Sequence, residues 1–157
     1  MGSQNILIKP HHFIDIIKLY GAGLNHFTPD ERFGHDFYRI GNMILSDKDV
    51  KLSFTIDSDD ICKPCKCLID NKCSDFMSNG FLYKSKEEWN KIIDKRLINY
   101  LDIQEDINLS SEEFCEIIQL KLTDNIIKRI WSERPKEETV KRIKFLKKGV
   151  LKYLNKK

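Results

Sequence analysis

Ile6-Leu7-Ile8-Lys9-Pro10-His11-His12-Phe13-Ile14-Asp15-Ile16-Ile17-Lys18-Leu19-Tyr20-Gly21 reads as a short strand running straight into a helix. The apolar run Ile6 to Ile8 has the length of a buried strand, and Pro10 suits a first helical turn, where its missing N–H leaves no bond unmade. Phe13, Ile16, Ile17 and Tyr20 then recur at i, i+3, i+4 and i+7, one face of an amphipathic helix that Gly21 ends. Downstream, Val50, Leu52, Phe54 and Ile56 alternate with Lys51, Ser53 and Thr55. That period of two predicts a second, half-buried strand, expected to pair with the first beside the loop that follows it.

Helical signals fill most of the remaining chain. Thr28-Pro29-Asp30-Glu31 carries a cap, a first-turn proline and acids suited to the positive end of a helix dipole, with Phe33, Phe37, Ile40 and Ile44 as its buried stripe. Ser85-x-x-Glu88 and Ser110-x-x-Glu113 are capping boxes. The first opens a helix carrying Trp89, Ile92, Ile93, Leu97 and Tyr100; the second opens one carrying Phe114, Ile117, Ile118 and Leu122. The pattern continues through Ile126, Ile127, Ile130 and Trp131, with a break expected at Thr123-Asp124 and a stop at Pro135. A basic helix over residues 136–155 is predicted to turn Val140, Ile143, Leu146, Val150 and Leu154 inward. The expected fold is mostly α with a small β element, α+β: a single compact domain spanning residues 1–157, with about five helices and a cysteine metal loop at 57–75.

The 157 residues and 41% hydrophobic content suit one soluble domain. No run approaches a membrane span, and the N-terminus lacks a secretory pattern, so a cytoplasmic location with reduced thiols and no membrane partner is expected. The net charge of +3 is uneven, because Arg134 to Lys157 holds ten Lys/Arg against two Glu. A solvated helix face explains that stretch more simply than nucleic-acid contact, since no aromatic-interleaved basic motif accompanies it.

Four of the five cysteines fall within twelve residues, Cys62-Lys-Pro-Cys65-Lys-Cys67-Leu-Ile-Asp-Asn-Lys-Cys73. Two disulfides inside so short a loop would be strained, whereas thiolates are strong ligands for zinc and iron-sulfur centres. Cys62, Cys65 and Cys73, spaced x2 and x7, are the expected ligands. Cys67, two residues from Cys65, is a less favoured fourth ligand, and Cys115 reads as a buried inert thiol. With Phe13 at the centre of the buried helix face, His12 falls at its edge and is the better long-range ligand. His11 and Asp15 fall opposite, an i, i+4 pair able to move a proton at a site mouth. His26 and His35 are expected in solvent. Asp57, Asp59 and Asp60 read first as turn residues and second as acceptors for a ligating histidine. Trp131 and Arg134, near a proline, invite a substrate-clamp reading, but core packing and a surface guanidinium explain them as well.

Lys9-Pro10-His11-His12, followed by Asp59-Asp60-Ile61-Cys62-x2-Cys65 and then Cys73, resembles a family of small bacterial and archaeal proteins of unknown function described as iron-sulfur binders. The resemblance covers about the first half of the chain. Members commonly carry another cysteine shortly after the histidine pair, where this chain has Asp15, and many carry C-terminal cysteines that this chain lacks. Spacing alone favours a Cys3His zinc site. The resemblance instead implies an iron-sulfur cluster, 4Fe-4S, on Cys62, Cys65 and Cys73, with His11 or His12 nearby. Two kinds of function follow from that ligand set: a cluster-dependent enzyme with an exchangeable iron, His11 or Asp15 and a small-molecule substrate, or a redox protein with a redox partner. The alternatives are a zinc-stabilised binding module whose basic C-terminal helix contacts nucleic acid or protein, and free-thiol redox chemistry through Cys62 and Cys65.

Overall fold

The computed structural model describes residues 4–104 and 107–156. Strand β1 (Asn5–Ile8) leads directly into helix α1 (Pro10–Gly21), as the opening segment predicts. Helix α2 (Phe37–Ser46) then returns the chain to β2 (Lys51–Phe54), which lies parallel to β1 with Ile6 opposite Leu52 and Ile8 opposite Phe54. A parallel pair requires such a crossover. Strand β5 (Leu109–Ser110) adds antiparallel to β2, giving the order β1-β2-β5. Helices α3 (Lys86–Leu101), α4 (Ser111–Lys121), α5 (Asp124–Ile130) and α6 (Lys136–Leu154) complete an α+β fold with six helices among the described residues. None is long and apolar enough to cross a membrane.

The core forms where α1 and α4 cover the sheet. Phe114 of α4 meets Phe13 edge-on at 4.8 Å between ring centroids and Phe54 at 4.6 Å, and all three are buried. Helix α6 lies along α1 so closely that a methyl on Gly149 would overlap the Ile17 carbonyl, and one on Gly21 would overlap that of Phe145. Only hydrogen fits at either position.

Two expectations change. The second helix begins at Phe37 rather than near Thr28. Asp30 accepts the Arg32 N–H at 3.0 Å and Gly34 takes a left-handed φ of 68°, so a side-chain-braced turn displaces the first helical turns and carries Phe33 out of the stripe. On α6 the buried face is Thr139, Arg142, Leu146, Gly149, Val150 and Tyr153, while Val140 is 61% exposed and Ile143 and Leu154 are only partly buried. The helix is rotated because its amphipathic residues find partners inside. The Arg142 guanidinium lies over Trp131, and the Tyr153 hydroxyl donates to the Ile44 carbonyl at 2.6 Å.

The break at Thr123-Asp124 falls where predicted, whereas the helix expected to run to Pro135 already ends at Ile130 and Pro135 takes the N-cap position of α6. Ser110 forms the full reciprocal capping box; at Ser85 only the side-chain half forms.

Candidate metal centre and its cavity

Parallel β1 and β2 deliver their following segments to the same end of the sheet, where crevices in α/β folds collect ligands. From β1 come Lys9, His11 and His12 in the first turn of α1; from β2 come Asp59 and Cys62. Asp59 is wholly buried and joins the two. Its Oδ2 accepts the Lys9 N–H at 2.8 Å and His12 Nδ1 at 2.6 Å, and its Oδ1 accepts the Ile61 and Cys62 N–H groups, each at 3.1 Å. Burial alone would raise its pKa, but His12 and these donors hold it well below the usual carboxylate range. The turn role and the histidine-acceptor role read from the sequence are therefore carried by one residue.

His11 departs from expectation. It does not pair with Asp15 on the outer face of α1, because its Nδ1 reaches 2.8 Å from Oδ2 of Asp94, a fully buried carboxylate on α3. Asp94 Oδ1 also accepts the His11 backbone N–H at 2.9 Å, supplying a cap to α1 that Lys9, with no side-chain cap bond of its own, does not. Asp15 sits half-buried and pairs weakly with Lys18 at 3.7 Å.

Both imidazoles thus commit Nδ1 to a buried carboxylate and leave Nε2 as the remaining nitrogen, the arrangement that fixes the tautomer of a ligating histidine. The rings lie 4.3 Å apart and titrate in opposite directions. Burial lowers His12, the neighbouring His11 charge lowers it further, and Asp59 does not restore it. Burial also opposes charge on His11, but Asp94 outweighs it and the pKa rises. His12 is thus biased toward the neutral ring and His11 toward the charged one.

The cysteine loop wraps the front of this pair. Cys62 and Cys65 are joined by a turn with the Cys65 N–H on the Cys62 carbonyl at 2.9 Å. A hairpin of β3 (Leu68–Ile69) and β4 (Lys72–Cys73) then reverses through Asp70 and Asn71, both at positive φ, which these residues tolerate best after glycine. It sets Cys73 opposite Leu68, and the Ser74 N–H bonds the Cys67 carbonyl at 2.7 Å, so Cys67 and Cys73 become neighbours. Cys67 is raised by desolvation and by the charges of Cys65, Asp75 and Cys73 around it. Cys62 lies deeper. Burial, with Asp59 behind it, pushes its thiol up to about 12, a field that a bound cation would invert. Cys115 is fully buried away from the loop, with its thiol also at about 12 through desolvation.

The donor chemistry fits a thiophilic metal. His12, Asp59 and Cys62 offer ligand atoms within 4.8 Å of one another, the only such threesome among the described residues. Asp59 already satisfies four donors and serves to aim His12, which leaves Cys62 and His12 Nε2 as ligands. Cys62, Cys65 and Cys73 do not form so tight a group.

All four loop thiols and both histidines line one cavity of about 520 Å³. Residues placed elsewhere from the sequence share it. His35, expected in solvent, is half-buried and bonded to Asp30 at 2.9 Å, whereas His26 is exposed as predicted. Arg134 turns inward over Phe81, 4.8 Å from its centroid, and Trp131, though buried as core, also faces the cavity. Arg142 and Asp94 are absent from the site residues expected from the sequence, and Lys9 enters there only within the Lys9-Pro10-His11-His12 segment. For Asp94 a signal was available, since it falls three residues before Leu97 on the apolar face of α3. Most lysines of α6, including Lys141, Lys144 and Lys148, remain on its solvent side. Comparison with protein-family models, with characterised proteins and with solved structures gives no match.

Proposed function

We propose that this protein binds an iron-sulfur cluster through Cys62, Cys65 and Cys73, with His12 Nε2 completing the shell, and uses it on a small molecule held in the adjoining cavity. One observation carries the reading: four thiols and two carboxylate-anchored histidines line a single chamber roomy enough for a ligand. A pure electron-transfer protein needs no such chamber. When bound, the cluster supplies an iron able to polarise a ligand atom or to exchange an electron. The chain does the rest. Asp59 fixes the His12 tautomer and the Cys62 end of the loop, Asp94 anchors His11 and favours its protonated form, and Phe33, Phe37 and Trp89 line the chamber with apolar surface.

A zinc site is the second reading, favoured by the closeness of His12 to Cys62 with a carboxylate behind the imidazole. Anaerobic purification followed by absorption spectroscopy and analysis of iron, acid-labile sulfide and zinc separates the two. A brown protein containing iron and sulfide is expected. Cys62→Ser, Cys65→Ser and Cys73→Ser should each lose it, His12→Ala should weaken it, and Cys67→Ser should retain it. Stoichiometric zinc in a colourless protein would replace the cluster with the second reading. Loss of metal in Cys67→Ser with retention in His12→Ala would overturn the ligand choice.

A further inference from the structure

Arg142 keeps only 8% of its surface exposed, in a chamber where most charges are matched. Its Nη2 bonds Glu138 at 3.1 Å and its guanidinium carbon lies 4.4 Å from the Trp131 centroid, yet Nε and Nη1 are buried with no hydrogen-bond partner. An aromatic face attracts a cation but has no lone pair to accept those donors. Buried charged donors left unmet are costly, and their presence beside a cavity that Arg142 lines points to an acceptor supplied from outside the chain.

The local charge balance has the matching sign. Arg134 bonds the same Glu138, through Nη2 at 2.9 Å and Nε at 3.2 Å, so one carboxylate answers two guanidinium groups. Elsewhere around the cavity Lys86 has Asp75 at 3.1 Å and His35 has Asp30 at 2.9 Å. At the arginine end, by contrast, two cations share one carboxylate.

We propose that the cavity binds a small organic anion, a carboxylate or phosphate monoester on an apolar body. Arg142 and Arg134 grip the anionic group, as planar forks do for either oxyanion, and Trp131 and Trp89 flank the apolar part. The inference names the substrate class for the chamber beside the thiols, and it rests on the metal reading only in taking the bound anion as a substrate.

Isothermal titration of the full chain as purified, with metal content measured on the same preparation, tests it with three probes: phenylacetate, phenyl phosphate and the neutral phenylacetamide. At least one anion should bind, and the amide at least tenfold more weakly. Arg142→Met and Arg134→Gln should each weaken the anion tenfold or more while leaving the amide unchanged. Arg134→Gln, at a less buried position, keeps the test valid if Arg142→Met does not fold. The tighter anion assigns the head group. Equal affinity for amide and anion, an unchanged anion affinity in Arg134→Gln, or binding of neither anion would overturn the proposal. A metal-free preparation that binds anion in an arginine-dependent way sinks only the metal reading; a metal-replete one that binds neither anion sinks only this one.

Discussion

At the scale of single residues, Asp59 decides whether the site exists as drawn. Its two oxygens collect four donors from α1 and from the cysteine loop, without any exposure to water. In Asp59→Asn one oxygen becomes an N–H donor facing donors, so at least one buried bond turns repulsive and the charge that favours the others disappears. A loss of about 3 kcal/mol in urea unfolding is expected, with looser metal retention in the same variant. A loss below about 1 kcal/mol would show that the carboxylate does not tie the two segments together. The sequence made Asp59 visible, because Asp-Asp before Cys-x-x-Cys reads as turn chemistry and as a histidine acceptor. It did not disclose the partner of His11. The i, i+4 rule offered Asp15, but Asp94, 83 residues away, is presented by packing of α3 against α1, which no local spacing encodes.

At the scale of elements, the α1/α6 crossing sets where the arginines stand. Gly149 and Gly21 let the backbones touch, and that contact fixes the rotation of α6 that buries Arg142 and exposes Val140. Gly149→Ala must push the helices apart or displace the Ile17 carbonyl, and should lower stability by at least ~2 kcal/mol. Val140→Lys, on the face the apolar pattern assigned to the core, should change it by less than about 0.5 kcal/mol. Thermal or denaturant unfolding of the two variants checks the rotation directly: a large loss from Val140→Lys with a small one from Gly149→Ala would restore the face predicted from hydrophobicity. The periodicity marked α6 as a helix correctly. It placed Leu146 and Val150 inward as found, with Ile143 and Leu154 partly buried against the core, but it missed Val140 at the surface and two amphipathic residues inside, Tyr153 with its hydroxyl on the Ile44 carbonyl and Arg142 with its guanidinium over Trp131.

For the whole molecule, strand-helix order and the pairing of β1 with β2 were legible in the sequence, and the helices between the two strands then make the pair parallel. The cavity was not, because its far wall comes from the turn between α5 and α6. That wall is fastened to α3 by Arg96, which donates to both oxygens of Glu133 at 2.7 Å and to the Ile130 carbonyl at 2.7 Å. The Arg96 fork, against a smaller opposing effect of burial, holds Glu133 at about 2, below its ordinary value of 4.5. A carboxylate depressed on folding contributes stability that is fully present above the unfolded value and is lost as the pH falls through the folded one. The clamp should therefore be intact at pH 6 and fail progressively between about 4.5 and about 2. In Glu133→Gln the neutral amide cannot titrate. The gap in unfolding midpoint between wild type and Glu133→Gln should narrow steadily over that acid range, and the arginine-lined wall should gain hydrogen exchange as it does. A gap that stays constant from pH 6 into the acid limb would mean that the pair does not fasten the wall, and that the chamber is held by the α1/α6 crossing alone.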